Sequence, residues 1–267
     1  VMPDVTYLRA KNVKDAVQLY RTTPGCRLLS GGTDLMVMLH AGTLRPTPRA
    51  ILDIWSLPEL KGIRRVEGML EIGAAEPYTS VIRSPMVQTD APALVAAART
   101  IGAAQIQNRG TLGGNLANAS PAGDTLPVLL ASDAVVVTDR RAIPIERFFT
   151  GYRQTALHPD ELIVAVRIPL GRQVVFRKVG TRAAQAISKV VMAVSRAPAR
   201  IAIGSVAEVP VRATHAEAAV SRGDDAAAVD AVADDIRPID DVRSTADYRA
   251  AVARNILREL LHAFPRR

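Results

Sequence analysis

The stretch TLGGNLANASPAGD, Thr111 to Asp124, decides how this chain is read. At Gly113-Gly114 no side chain obstructs the backbone, so N–H groups can point together at an anion. Asn115, Asn118, Ser120 and Asp124 add polar side chains within the same segment, which suits it to wrapping a long polar ligand. The length of Gly110 to Asp124 without hydrophobic periodicity predicts a functional loop. It is not a Walker loop, which needs a lysine directly after its last glycine, nor a G-x-G-x-x-G dinucleotide fingerprint.

A second glycine segment lies upstream, SGGTDL at Ser30 to Leu35. Arg27-Leu28-Leu29 reads as a strand running into Gly31-Gly32, after which Asp34 can cap a helix through Leu35, Met38 and Leu39. Strand, glycine turn and helix again favour an anion, because the helix N-terminus adds positive partial charge. A glycine pair after a strand is by itself an ordinary turn, so this loop takes its meaning from its partner.

Outward from the two loops, Asn12 caps a predicted helix carrying Val13, Ala16, Val17 and Tyr20, and Ala50 to Ile54 is a predicted strand. Gly62 to Ile72 reads as a hairpin turning at Glu67-Gly68. Helices are expected over Pro77 to Arg83, Ala91 to Thr100 and Leu126 to Ala131, with a strand at Ala134 to Thr138. Glu161 to Ile168, Val174 to Val179 and Ile187 to Ser195 are strand-like runs with short polar connections, the pattern of one antiparallel sheet. The tail is helical over Thr214 to Val220, Asp225 to Ala233 and Thr245 to Ala263, the last placing Tyr248, Val252, Ile256 and Leu260 on one stripe.

Bulk properties narrow the function classes. With 267 residues, 48% of them apolar, the chain can bury a full core and exceeds the usual single-domain size. Two or three units are expected, with boundaries over 1–56, 57–170 and 171–267. Its single cysteine, Cys26, cannot ligate an iron–sulfur cluster or a structural zinc, so no metal site is expected on this chain. The net charge of +8 raises the question of nucleic acid, yet aromatic residues are only 4% and no basic run interleaves with stacking rings, so no nucleic-acid role is expected. No apolar run approaches the roughly 20 residues of a membrane span, and a cytoplasmic setting is expected. His40, His158, His215 and His262 are dispersed, and no catalytic side chain is singled out.

Five stretches together carry a specific resemblance: GGTDL, TLGGNLANASPAGD, GYRQTALHPDELI at Gly151 to Ile163, FRKVGTRAAQAISKV at Phe176 to Val190, and RPIDDVRSTADYR at Arg237 to Arg249. In this order, over nearly the whole chain, they resemble the FAD-binding medium subunit of the molybdenum hydroxylases, which include xanthine dehydrogenase and carbon monoxide dehydrogenase. The resemblance implies an α+β chain with a vanillyl-alcohol-oxidase-type FAD-binding fold, two α/β subdomains that clasp FAD followed by a C-terminal antiparallel sheet with helices. It also implies the site. Leu29, Ser30, Gly31, Gly32, Thr33, Asp34 and Leu35 would form one pyrophosphate loop, and Thr111, Leu112, Gly113, Gly114 and Asn115 the other, with Asn118 and Asp124 also on the cofactor. Ile101 and Ile163 would be apolar neighbours of the flavin or adenine. Lys178 would contact the flavin side, where a cation stabilises a reduced anionic flavin. Asp124 would accept from cofactor hydroxyls, cap the helix that follows, or do both.

By the same resemblance Val179 to Lys189 is a variable loop near the isoalloxazine, where Arg182 and Gln185 would tune access and potential. Asp240 and Asp241 would fix a domain contact or a cap. Partner chains would hold molybdopterin and two [2Fe–2S] clusters, as a large and a small subunit in a dimer of heterotrimers, and electrons would leave through FAD to NAD, a quinone or dioxygen. The SGGTDL loop and the PIDDVR tail look more like the xanthine-dehydrogenase type than the carbon monoxide dehydrogenases, whose first loop commonly has a histidine. Aldehyde and N-heterocycle dehydrogenases remain alternatives, as do a flavin-free assembly subunit and a free-standing flavin oxidase. The hairpins over 137–143 and 195–201 are shorter than is usual in that family.

Overall fold

The computed structural model describes residues 5–182 and 185–264. Three sheets, each formed within its own part of the chain, organise it. The first is parallel, with β1 (Thr6–Arg9), β2 (Cys26–Leu29) and β3 (Ala50–Asp53) in the order β1-β3-β2, so that Ala50 pairs with both Thr6 and Cys26. Helices α1 (Val13–Thr22) and α2 (Leu35–His40) make the crossovers. Asn12 caps α1 by accepting from the Asp15 N–H at 2.8 Å. Ala16, Leu52 and Ile54 bury beneath this unit with Leu57, Leu60 and Leu162.

The second sheet is antiparallel: β4 (Ile63–Val66), β5 (Met69–Gly73), β6 (Val135–Thr138), β7 (Ala142–Pro144) and β10 (Ile163–Pro169). Their order is β4-β5-β10-β6-β7. The β4–β5 hairpin turns on Glu67 and Gly68, both with positive φ, as a two-residue turn of that twist requires. Between β5 and β6 run α3 (Tyr78–Arg83), α4 (Pro85–Asp90), α5 (Pro92–Arg99), α6 (Ala104–Gln107), α7 (Leu112–Asn118) and α8 (Leu126–Ala131). Their apolar faces, including Val81, Leu94, Leu112, Leu116 and Leu129, form one core with Leu70, Ile72, Val136 and Val166. A small hairpin, β8 (Phe149–Gly151) and β9 (Gln154–Thr155), precedes β10.

The third sheet is a meander of β11 (Val175–Val179), β12 (Val190–Arg196), β13 (Ala199–Gly204) and β14 (Val211–Arg212), backed by α9 (Thr214–Ser221), α10 (Asp225–Asp235) and α11 (Ala246–His262).

Four sequence expectations change. The run Glu161 to Ile168 does not join the runs that follow it: β10 sits at the centre of the second sheet between β5 and β6, and only β11 and β12 belong to the third. The glycine segment is not all loop, because α7 forms within it, capped by Thr111 and ended by Ala119 in the left-handed region. Asp34 stands at the start of α2 without a side-chain capping bond. On α11 the buried face is Arg249, Ala253, Ile256, Leu257, Leu260 and Leu261, whereas Tyr248 is 44% exposed. Asp240 and Asp241 act locally: Asp240 accepts from the Ala246 N–H at the start of α11, and Asp241 holds the buried Arg249 guanidinium at 2.7 Å.

Candidate functional site

A cleft of about 850 Å³ opens between the first and second sheets. One wall is the turn that leaves β2, Ser30 to Asp34, with Leu35 at the head of α2; the other is Thr111, Gly113, Gly114, Asn115 and Asn118 of α7. The two walls touch. A Cβ on Gly31 would lie 1.8 Å from the Arg109 carbonyl oxygen, so only glycine lets the first turn approach the second strand of chain this closely. Ser30 Oγ lies 3.4 Å from Thr111 Oγ1, and Asn118 Nδ2 donates to Asp34 Oδ1 at 3.0 Å. The Asp34 carboxylate therefore ties the loops together, which is why it leaves α2 uncapped.

The glycine amides of the two loops differ. Gly113 N–H donates to the Ala74 carbonyl and Gly114 N–H to Thr111 Oγ1, both at 3.0 Å. Gly113 is a packing glycine, since a Cβ there would meet Ala74 O at 2.6 Å. By contrast, the N–H groups of Gly31, Gly32, Thr33 and Asp34 donate to no protein acceptor among the described residues. These four neighbouring amides stand at the cleft wall, where an anion with several acceptor oxygens would satisfy them. A diphosphate has that chemistry, and the cleft lies in the size range of cofactor sites. The residues present thus fit a dinucleotide.

Of the residues expected at the site, Ser30 to Leu35, Ile101, Thr111, Gly113, Gly114, Asn115, Asn118 and Ile163 line the cleft. Leu29, Leu112, Asp124 and Lys178 stand outside its lining. Leu112 is fully buried in the second core. Asp124 and Lys178 hold each other at 2.6 Å, with 8% and 10% of their side chains exposed. Lys178 Nζ also donates to Thr100 O at 3.1 Å, and Ser188 Oγ donates to Asp124 Oδ1. Burial pushes the Asp124 carboxyl pKa up, and Lys178, Ser188 and Thr100 pull it back. This pair locks β11 onto the end of α5 and the glycine segment, beside Ile101. Arg182 donates to the Gln185 carbonyl at 2.7 Å, while residues 183 and 184 of the expected variable loop lie outside the described residues.

Sequence reading missed several lining residues: Tyr20, Arg27, Arg45, Tyr78, Arg153 and His158. Arg153 lies within the quoted GYRQT stretch, and its guanidinium donates to Asn118 Oδ1 at 2.7 Å from a left-handed backbone position. A charged residue in a glycine-led hairpin was the available signal. Tyr20 and Arg27 reach the cleft only through the packing of α1 and β2, which nothing local announces. Glu161 also lines the cleft, and the Arg141 guanidinium, with His158 N–H and Thr138, holds its carboxyl at about 2 against the opposing effect of burial.

Among the described residues no group of His, Cys, Asp or Glu could hold a metal ion, and no helix is long and apolar enough to cross a membrane.

Comparison with known proteins gives the family and the fold. Residues 3–171 match the family model of the FAD binding domain in molybdopterin dehydrogenase, and residues 175–264 that of the CO dehydrogenase flavoprotein C-terminal domain. The xanthine dehydrogenase FAD-binding subunit of Escherichia coli O157:H7 is 35% identical over 79% of this chain and 77% of its own length. The carbon monoxide dehydrogenase medium chain of Hydrogenophaga pseudoflava is 31% identical over 98% of each chain. A solved structure of carbon monoxide dehydrogenase from Hydrogenophaga pseudoflava, in a form lacking the Mo-pyranopterin moiety, superposes with a TM-score of 0.92, covering 98% of both chains at 31% identity.

Proposed function

The chain belongs to the FAD-binding medium subunits of the molybdenum hydroxylases, and from that premise we propose that it is the electron-output subunit of a xanthine-dehydrogenase-like complex. Electrons arriving singly from [2Fe–2S] clusters on a small partner subunit, after substrate oxidation at molybdopterin on a large one, leave through this chain to NAD, a quinone or dioxygen. When bound, FAD supplies the step between one-electron donors and a two-electron acceptor.

This chain's own residues bind and orient. The amides of Gly31 to Asp34 take the diphosphate, Asn115 and Asn118 border it, and Ile101 and Ile163 give apolar contact. Leu29 sets the backbone from which those donors project, and Leu112 anchors the head of α7 in the second core. Asp124 and Lys178, paired outside the cleft lining, hold β11 against the end of α5 beside Ile101 and so position that apolar contact. The observation that carries the reading is the set of four successive residues at the cleft wall, Gly31 to Asp34, whose backbone amides meet no protein acceptor among the described residues.

Two features support the xanthine type: Thr33 and Asp34 stand in the first loop, which has no histidine, and the PIDDVR tail is present. The setting is cytoplasmic and the assembly a dimer of heterotrimers on this reading. An absorbance spectrum of the purified chain tests the cofactor role, with flavin bands and FAD released on denaturation expected, and a flavin-free spectrum after incubation with FAD contradicting it. Turnover of a purine by the native complex tests the substrate class; activity on carbon monoxide alone would replace the xanthine reading.

A further inference from the structure

Thr125 occupies the N-cap position of α8, yet its side chain makes no capping bond. Pro127 in the first turn has no N–H to offer. The hydroxyl is spent elsewhere: Thr125 is fully buried, and Oγ1 donates to Asn115 Oδ1 at 2.7 Å. Asn115 lines the cleft, and its Nδ2 donates to no acceptor among the described residues. Beside Thr125 stands the buried Tyr78 hydroxyl, close enough to feel the threonine but without a hydrogen bond of normal geometry among the described residues. Burial raises the Tyr78 pKa far above its ordinary value, so the phenol keeps its proton. Because an amide oxygen only accepts, the Thr125 proton is the one in this bond, which turns the Asn115 oxygen to Thr125 and leaves its nitrogen without a protein acceptor among the described residues.

We infer that Thr125 is a positioning residue for cofactor binding, fixing the Asn115 amide so that Nδ2 meets an acceptor oxygen of the bound FAD. The inference rests on the reading of Asn115 as a cofactor-binding residue. A helix cap is given up, and in exchange an amide that would otherwise rotate holds one orientation before the cofactor arrives.

The test is FAD affinity of the full chain after flavin removal, by fluorescence titration, in a double-mutant cycle. Thr125→Val should weaken FAD binding about tenfold, the loss of one oriented hydrogen bond. Thr125→Ser should stay within about twofold of the unaltered chain. In an Asn115→Ala background Thr125→Val should have no further effect, an outcome that a merely structural threonine would not give. Unchanged affinity in Thr125→Val, or effects that multiply in the double variant, overturns the inference. Should the valine variant not fold, Thr125→Ala replaces it in the same cycle. If Asn115→Ala alone leaves affinity unchanged, the reading of Asn115 fails, and the role of Thr125 falls with it.

Discussion

Single atoms decide which glycines bind and which pack. At Gly31 an added Cβ would meet the Arg109 carbonyl oxygen at 1.8 Å, so Gly31→Ala must part the two loops. The adjoining amides then shift with it, and FAD affinity should fall roughly hundredfold, given charge-assisted bonds of about 1.5–3 kcal/mol each. Isothermal titration with FAD checks this. Gly114→Ala is different, because the added carbon meets only Thr111 Oγ1, at 2.9 Å. It should disturb the cap of α7 and cost about 1 kcal/mol of stability, read as a lower urea midpoint. Glu161 supplies a pH signature. Its carboxyl sits at about 2 rather than the usual 4.5, so it stabilises the fold above pH 4.5 and that stability is lost as pH falls toward 2. Glu161→Gln should be less stable at neutral pH, and the gap between the two proteins should close over that window in acid-unfolding curves. A gap constant from pH 6 to pH 2 would contradict the assignment.

At the scale of elements, what was legible followed local rules. The Asn12 cap, the Glu67-Gly68 turn and the helices α9 to α11 each have their cause within a few residues, and the sequence pattern finds them. Helix α7 was not legible because its sequence, LGGNLAN, is poor in helix formers. It forms because Thr111 caps it and Leu112 and Leu116 bury in the second core. Strand β10 was misassigned because a strand pattern does not name its partners, and β10 pairs with β5 and β6 rather than with β11. Between the second and third sheets, Asp133, which follows α8, accepts from Arg172 and Arg200 at 2.6 and 2.8 Å. Arg212 approaches it at 3.4 Å. Asp133 has φ 49, a backbone position that asparagine also tolerates, so Asp133→Asn removes the charge without adding strain. Three arginines would then face one neutral amide, and stability should drop by about 2 kcal/mol, visible as a lower Tm. A Tm equal to that of the unaltered chain would show that apolar contacts alone hold the junction.

For the whole molecule, the two glycine segments could be recognised in the sequence, but not the division of labour between them. TLGGN, the more distinctive by pattern, has its Gly113 and Gly114 amides already bonded to Ala74 and Thr111. SGGTD, an ordinary turn by pattern, presents the free donors. The difference is invisible locally, because Ala74 and Arg109 reach the glycines only in the folded chain. A cleft between two separately formed sheets, closed by Asn118 on Asp34 and Arg153 on Asn118, is a property of their packing. The claim at stake is that the Gly31 to Asp34 amides, and not those of Gly113 and Gly114, donate to the cofactor diphosphate. Amide NMR of the isotopically labelled chain, recorded without and with FAD, tests it most directly. The Gly31, Gly32, Thr33 and Asp34 N–H signals should move strongly downfield on binding, while those of Gly113 and Gly114 stay nearly in place; large shifts confined to Gly113 and Gly114 would contradict the account.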